Sequence, residues 1–158
     1  MASQDRPAEI KGGCLCEAVR YKITFPTDHK FENGTTSCQC EQCRKQTGAL
    51  VMYAHTVPLE SVTYTTSTSG LAIYRASTTA QRGFCRACGS TLFWQPEGRT
   101  TSILVGTMDK DDLKRWGRLL VGSGRHLWVE DAVEGVTDQL KGEKWKFDCL
   151  GEGAQKMQ

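Results

Sequence analysis

The amino-acid sequence predicts one mainly β domain, and three observations carry this prediction. The chain has 158 residues, a length at which a single hydrophobic core commonly forms. Its 16 glycines, together with many Thr and Ser residues, favour turns and short strands over long helices. Strand-like segments recur along the chain, whereas only two short segments are typical of helices. We therefore expect about six strands around one core.

The predicted strands are rich in apolar, β-branched and aromatic residues. The first, at 19–26 (VRYKITFP), alternates apolar and polar residues and ends at a proline, which cannot continue a sheet ladder. Three further strands are predicted at 49–57, 90–96 and 101–108. Residues 61–77 predict a β-hairpin that turns at Ser69 and Gly70.

The two predicted helices are both short, with about two turns or fewer. The first covers residues 40–48 (CEQCRKQTG). The second covers residues 109–116 (DKDDLKRW), where Asp109 can act as the N-cap and acidic residues occupy the first turn. One or two short helices are therefore expected beside the strands.

The two ends of the chain differ in character from its middle. The first ten residues have no clear strand or helix pattern, and the last ten are glycine-rich and polar. We therefore expect a flexible lead-in at 1–10, one folded domain at 11–148 and a flexible tail at 149–158. No internal repeat with a period of about 20 to 50 residues is apparent.

Charge and hydropathy exclude several classes of protein. The formal net charge of +2 lacks the strong basic excess of polyanion-binding proteins, so it weighs against a nucleic-acid partner. No run of about 18 apolar residues predicts a membrane span, and the first residues lack the apolar segment of a signal peptide. We therefore expect a cytoplasmic protein with no membrane partner. In that compartment, clustered cysteines are more often metal ligands than disulfides.

The cysteines fall into three groups, with one left over. The groups are Cys14 with Cys16, Cys38 with Cys40 and Cys43, and Cys85 with Cys88, and Cys149 stands apart. The C-x-x-C spacing at Cys85 and Cys88, followed by Gly89, lets a tight turn aim two sulfurs at one zinc ion. Joining the first and last groups gives four thiolates, a closed ligand set that indicates structural zinc.

Two other interpretations of the cysteines remain open. Cys40 and Cys43 could join Cys85 and Cys88 as a zinc ribbon, but the spacer at 44–84 exceeds the usual length. That pairing would also leave three grouped cysteines without partners. Alternatively, the cysteines could be disulfides or ordinary buried thiols, a pattern that better suits small secreted scaffolds.

Three motifs resemble a known family. GGCLCEAVRY, CQCEQCRKQTGA and RGFCRACGSTLF, in this order, are similar to the glutathione-dependent formaldehyde-activating enzyme and centromere protein V family. The likeness covers roughly residues 10–130. All the grouped cysteines stand at the family's positions, as do the Arg-Lys pair at 44–45, Arg82 and Gly89.

The resemblance implies a β-tent zinc fold, in which coiled antiparallel sheets form a single domain. It also implies two zinc ions per chain. One would be structural and held by the four-cysteine site, defined as Cys14, Cys16, Cys85 and Cys88. The other would be held by the three-cysteine site, defined as Cys38, Cys40 and Cys43. The implied activity is that of a carbon–sulfur lyase of the S-(hydroxymethyl)glutathione synthase type.

Three cysteine ligands would leave the fourth position of a tetrahedral zinc for water or substrate. Three thiolates and Zn²⁺ sum to a formal charge of −1, which favours a soft sulfur ligand over the activation of water. A fourth thiolate needs nearby cations, and Arg forks also suit carboxylates such as those of glutathione. The sequence-adjacent candidates for binding the substrate are Arg44, Lys45, Arg82 and Arg86.

The remaining assignments concern the end of the chain and the rival function. His126 matches a family position and is a candidate acid or base, but its surroundings (GSGRHLWVEDAVEGV) depart from the family pattern, which leaves the substrate open. Cys149 is expected to be an ordinary thiol. The alternative function is a zinc-stabilised binding module without turnover, acting as a glutathione carrier or binding chromatin or a protein.

Overall fold

The structure is a computed structural model that describes residues 6–122 and 124–157, and it contains two β-sheets. The strands are β1 (Glu9–Gly13), β2 (Arg20–Thr24), β3 (Thr35–Cys38), β4 (Met52–Pro58), β5 (Val62–Tyr64), β6 (Leu71–Arg75), β7 (Ala80–Cys85), β8 (Thr91–Pro96), β9 (Thr100–Leu104), β10 (Arg125–Leu127) and β11 (Glu143–Lys144). The α-helices are α1 (Phe31–Gly34), α2 (Glu41–Thr47) and α3 (Lys110–Val121). None of the helices in the described ranges is long and apolar enough to cross a bilayer.

The strands pair mainly in antiparallel fashion. One sheet has the order β1-β2-β5, and the other has the order β11-β10-β3-β4-β9-β8-β7-β6. Only β10 makes parallel pairs among the described strands, with β3 on one side and β11 on the other. The predicted mainly β fold in a single domain is therefore confirmed. The short parallel pairs that β10 makes were not predicted.

The β1–β2 hairpin illustrates why these residues form strands. Ile10 pairs with Ile23, and both side chains are fully buried on the face that meets the larger sheet. Gly12 lies opposite Tyr21, and a Cβ atom on Gly12 would stand 2.4 Å from the Tyr21 hydroxyl oxygen. The close approach of the tyrosine therefore requires a glycine at this position.

The main core contains side chains from both sheets and from α3. Its fully buried members are Ile10, Val19, Ile23, Cys85 and Leu120. A second, smaller cluster contains Cys38, Cys43, Met52, Ala54 and Leu104. The second cluster brings apolar packing directly to the three-cysteine site.

A hydrogen-bond chain crosses the interior beside α1. The Thr35 hydroxyl donates to the backbone oxygen of Leu120 at 2.7 Å and lies 2.9 Å from Nδ1 of His55. Because the single hydroxyl proton is used on Leu120, the Nδ1–H of His55 must donate to Thr35. The Nε2 atom of His55 then accepts from Nε2 of His29, 2.9 Å away. Both nitrogens of a neutral His55 therefore have partners within the fold.

The predicted hairpin at 61–77 is wrong. β5 pairs with β2, where Tyr64 lies opposite Tyr21, and β6 pairs with β7 in the other sheet. The turn signal at Thr68–Gly70 does produce a tight 3-10 turn. The chain changes sheets there instead of reversing, so β5 and β6 belong to different sheets.

Other boundaries also differ from prediction. The second helix runs on from 116 to Val121, since Leu120 is fully buried and anchors its last turn. Five of the described strands, β1, β3, β7, β10 and β11, lie outside the predicted strand segments. Three α-helices replace the predicted one or two.

Packing and backbone hydrogen bonds occur near both ends of the described chain, while the lead-in at 1–10, the domain at 11–148 and the tail at 149–158 stay a prediction. β1 begins at Glu9, two residues before the predicted boundary of 11, because its Ile10 side chain packs in the core. In the segment 149–157, backbone hydrogen bonds join Met157 N–H to Lys144 O and Lys146 N–H to Gln155 O. The remaining terminal residues, 1–5 and 158, lie outside the described residues.

Candidate functional site

The four-cysteine site joins the two sheets. Cys14 and Cys16 lie in the connection between β1 and β2, while Cys85 ends β7 and Cys88 lies in the turn to β8. The four Sγ atoms lie within 4.8 Å of one another. The Cys14–Cys16 and Cys16–Cys85 sulfur distances are 3.6 and 3.7 Å, close to the ~3.8 Å edge of a tetrahedron with ~2.3 Å zinc–sulfur bonds. These four residues therefore fit a closed tetrahedral metal site.

Local hydrogen bonds help to position both halves of this site, namely the pair Cys14 and Cys16 and the pair Cys85 and Cys88. The Val19 N–H donates to Cys14 Sγ at 3.2 Å, and the Ser90 hydroxyl lies 3.2 Å from Cys88 Sγ. The hydrogen bond with Ser90 contributes most to lowering the pKa of Cys88 to about 5. Gly89 has φ +75°, a left-handed conformation that lets the chain turn tightly after the C-x-x-C pair. The contact with Ser90 therefore favours the thiolate form of Cys88, which a metal site uses.

The three-cysteine site forms where β3 runs into α2. Cys38 is the last residue of β3, and Cys40 is the N-cap of α2, where its Sγ accepts from the Cys43 N–H at 3.4 Å. The three Sγ atoms lie within 4.8 Å of one another. Within the described residues, no fourth His, Cys, Asp or Glu completes this group. The arrangement fits a metal that keeps one position for an exogenous ligand.

The sulfurs of the three-cysteine site are strongly coupled to each other. Hydrogen bonds from Cys38 and Cys43 lower the pKa of Cys40, while the hydrogen bond to Cys40 raises the pKa of Cys38. One thiolate is therefore stabilised by two thiol donors even without a metal. A soft metal cation would replace those shared protons as the positive centre among the sulfurs.

Helix α2 is held firmly against the larger sheet. The Thr47 hydroxyl donates to Cys43 O at 2.8 Å, and the Thr91 hydroxyl of β8 donates to Gln46 O at 3.0 Å. Gly48 ends the helix with φ +69°, and its N–H donates to Arg44 O at 2.8 Å. The position of Cys43 is consequently set by contacts at both ends of a short helix.

The geometry distinguishes between the interpretations of the cysteines. Cys40 and Cys43 group with Cys38, and Cys85 and Cys88 group with the N-terminal pair, so the zinc-ribbon pairing is wrong. All the cysteines are free thiols in the structure. Cys149 lies in neither group, as predicted, and is partly buried.

The predicted cations lie in different surroundings. Arg82 is buried, and its Nη2 lies 3.6 Å from Cys43 Sγ. Arg44 is half-buried and directs Nη1 toward Asp131 O at 3.5 Å. Lys45 is exposed and pairs with Glu41 at 2.7 Å, and Arg86 is exposed beside the four-cysteine site. The structure therefore brings Arg82 into contact with the three-cysteine site and places Arg86 at the other site.

His126 is buried and uses both ring nitrogens. Its Nδ1 lies 2.6 Å from the Ser37 hydroxyl, and its Nε2 donates to Lys141 O at 3.0 Å. Through these contacts it fastens β3 and the segment before β11 to β10. Neither nitrogen is free for proton transfer, so the geometry favours a structural role for this residue.

Trp128 is a site residue that sequence reasoning did not select. It is half-buried and packs against the cluster that contains Cys38 and Cys43. Its backbone has φ 57° and ψ 44°, a left-handed conformation that costs about 1–3 kcal/mol for a bulky residue. The Trp128 N–H donates to Phe147 O, and the two rings meet at 5.3 Å. No sequence signal marks this conformation.

Comparisons with known proteins agree with the geometry. The family model described as glutathione-dependent formaldehyde-activating enzyme matches residues 9–130. A Podospora anserina protein named "Putative glutathione-dependent formaldehyde-activating enzyme" is 32% identical over 51% of this chain and 36% of its own length. A Schizosaccharomyces pombe protein named as an uncharacterized lyase is 30% identical over 54% of this chain and 57% of its own length. The chain thus spans only part of the length of these relatives.

A solved structure shares the fold. The crystal structure of a Rhodobacter sphaeroides protein has a TM-score of 0.52 and 26% identity, covering 66% of this chain and 94% of that chain. The family match includes both groups of cysteines and all the strands except β11. The chain therefore belongs to the glutathione-dependent formaldehyde-activating enzyme family.

Proposed function

We propose that the protein is a zinc-dependent carbon–sulfur lyase that joins a small-molecule thiol to an aldehyde and catalyses the reverse cleavage. Glutathione and formaldehyde, or a related glutathione conjugate, are the proposed substrates. The observation that carries the proposal is the contrast between two sites: one group of four cysteines is a closed ligand set, whereas Cys38, Cys40 and Cys43 leave a position open. The names of the relatives support the same reaction class.

The donor set of the three-cysteine site fits zinc. A bound zinc ion would supply Lewis acidity that deprotonates an incoming thiol and holds it as a thiolate. Cys40 and Cys43 are fixed by the helix N-cap and by α2, so the site is preorganised for a fourth sulfur. Burial of Cys38 and Cys43 limits the access of water from the protein side.

The proposed bond change is simple. The thiol loses its proton to solvent, and its sulfur lone pair forms a bond to the aldehyde carbon. The C=O π electrons move to oxygen, which then takes a proton from solvent to give a hemithioacetal. The reverse reaction breaks the same carbon–sulfur bond and releases thiol and aldehyde. The proton passes to solvent because His126 has no free nitrogen.

The segment after β10 contributes the wall of the proposed substrate pocket. Trp128 packs beside the three-cysteine site, and the backbone oxygen of Asp131 accepts a hydrogen bond from the Arg44 side chain. The carbonyl oxygen of Thr137 accepts from the side chain of the buried Gln39 at 3.4 Å, which ties the same segment to the loop between Cys38 and Cys40. This region departs from the family pattern in sequence, so we expect it to determine which thiol or conjugate is accepted.

An NMR exchange experiment tests the proposal. Zinc-loaded protein should accelerate the exchange of glutathione and formaldehyde with S-(hydroxymethyl)glutathione in proportion to protein concentration. Cys43→Ser should abolish this acceleration, whereas the matched variant Cys149→Ser should retain it because Cys149 lies outside both cysteine groups. An exchange rate that wild-type protein leaves unchanged at every concentration would refute the formaldehyde reaction.

A second function, a thiol carrier without turnover, is favoured by one observation. Both nitrogens of His126 have partners within the protein, which favours binding without an acid–base step at this residue. A carrier would bind glutathione at the three-cysteine site without changing the rate of exchange. Calorimetric binding of glutathione combined with unchanged NMR exchange would identify the carrier.

A further inference from the structure

Arg82 is an unusual residue in this fold because it is a buried cation without a carboxylate partner. It lies in β7 with 4% of its surface exposed. Its Nη2 contacts Cys43 Sγ at 3.6 Å, while its buried Nη1 has no hydrogen-bond partner in the described part of the chain. No Asp or Glu within the described ranges forms an ion pair with it. A buried charge without compensation costs several kcal/mol.

The compensating charge for Arg82 lies in the three-cysteine site. The Arg82 guanidinium contacts Cys43 Sγ at 3.6 Å. Three thiolates and one divalent metal ion have a formal charge of −1, so the site together with Arg82 is neutral. The cation and the cysteines therefore form one balanced unit in the interior.

The backbone of β7 aims Arg82 at this unit. The pairing of β7 with β8 shifts register between Gly83 and Phe84, a bulge that redirects neighbouring side chains. A Cβ atom on Gly83 would lie 2.1 Å from the Phe93 ring, so only glycine fits there. Tyr74 and Trp94 lie directly opposite Arg82 on the adjacent strands and share its face of the sheet.

We propose that Arg82 is a positioning residue that makes the three-cysteine site selective for an anionic fourth ligand. The inference rests on the proposed function, in which that ligand is a thiolate. Arg82 acts through Cys43 and through its charge, because its Nη1 is closed to solvent and its Nη2 lies against Cys43 Sγ. It therefore differs in role from the substrate-binding residue that the sequence predicted.

The charge balance explains the selectivity. With Arg82 present, binding of a thiolate changes the formal charge of the unit from 0 to −1. Without Arg82, the same step changes the charge from −1 to −2 in a partly buried site, which is electrostatically costlier. A neutral ligand such as imidazole leaves the charge unchanged in both cases. The preference for thiolate over imidazole is thus the quantity that Arg82 controls.

Cobalt-substituted protein allows this preference to be measured. Co²⁺ bound by thiolates has visible absorption that changes when a fourth ligand binds, so 2-mercaptoethanol and imidazole can each be titrated at one pH. Arg82→Gln should weaken 2-mercaptoethanol binding by about 10- to 100-fold and change imidazole binding by less than about threefold. Arg82→Lys, which keeps the charge, should retain the wild-type preference within about threefold.

Arg75→Gln serves as the matched control. Arg75 is exposed on β6, where its side chain donates to Thr78 O at 3.2 Å, and it lies in neither cysteine group, so its removal should alter neither titration. Circular dichroism and cobalt stoichiometry establish that each variant is folded and loaded. If Arg82→Gln does not fold, Arg82→Lys alone decides, since loss of the thiolate preference in that variant contradicts a charge effect.

The outcomes separate this inference from the proposed function. Equal weakening of both ligands in Arg82→Gln, or no weakening of either, would overturn the role of Arg82 while wild-type thiol binding still supported the proposed function. Wild-type protein whose cobalt spectrum does not respond to 2-mercaptoethanol would overturn both. Selective loss of thiol binding in Arg82→Gln supports both.

Discussion

Acid should weaken this fold through His55, which lies fully buried in the hydrogen-bond chain beside α1. Burial, reinforced by the nearby His29, lowers the pKa of His55 from 6.5 to about 4. In the unfolded chain the imidazole returns to its ordinary pKa. At pH values between these two pKa values, the unfolded state binds a proton that the folded state does not bind. The free energy of unfolding therefore falls as the pH falls.

The magnitude follows from the difference in pKa. Each unit corresponds to about 1.4 kcal/mol, so a change from 6.5 to about 4 amounts to about 3 kcal/mol. The contribution is absent above pH ~6.5 and reaches its full size below pH ~4. This loss is a large fraction of the roughly 5–15 kcal/mol that stabilises a typical domain.

Urea unfolding of wild-type protein and His55→Gln at several pH values provides the assay. Gln has a donor and an acceptor but does not titrate, so the variant should lose less stability than wild type on going from pH 7 to pH ~4, by about 3 kcal/mol. Protonation of metal-binding thiols affects both proteins and cancels in the difference. Parallel pH profiles for the two proteins would refute the assignment of this acid sensitivity to His55.

Two further predictions concern metal binding and packing. Cys14→Ser should unfold the protein because metal binding at the four-cysteine site is coupled to folding, whereas Cys43→Ser should stay folded and lose only the metal of the three-cysteine site. Circular dichroism and metal analysis would measure both effects, and equal effects of the two substitutions would contradict the prediction. Gly12→Ala should destabilise the fold by about 1–3 kcal/mol, because the new Cβ would lie 2.4 Å from the Tyr21 hydroxyl oxygen. A thermal unfolding midpoint equal to that of wild type would contradict the proposed contact.

The local cysteine groups were predictable because they depend on short-range geometry. Cys85 and Cys88 are placed by a local turn, and the C-x-C pair at Cys14 and Cys16 is equally local, whereas joining the two pairs in one site followed from the count of four thiolates that closes a tetrahedral site. The mainly β character also follows from local composition. The three-cysteine site depends on Cys38, Cys40 and Cys43 within a strand-to-helix junction of a few residues.

Features that depend on distant contacts were not predictable in this way. The partner of β5 is β2, almost forty residues upstream, and no local signal distinguishes this pairing from a hairpin with β6. The same limitation explains the roles of the basic residues and of His126. Arg82 reaches Cys43 only through the register of β7, and Arg86 follows its neighbouring cysteines to the other site. His126 makes hydrogen bonds with the Ser37 hydroxyl and with Lys141 O, and the parallel pairing of β10 brings these partners close.

The connection between the two sheets at the four-cysteine site would, with a metal bound there, link the abundance of the protein to metal supply. Cys16 and Cys85 are separated by 69 residues, and closing a loop of that length costs about 4 kcal/mol of chain entropy. A bound metal would offset this cost only once both hairpins have met, so newly made chains in a cell starved of that metal would remain open longer. Open chains are targets for proteases, and such starvation should therefore lower the level of the protein.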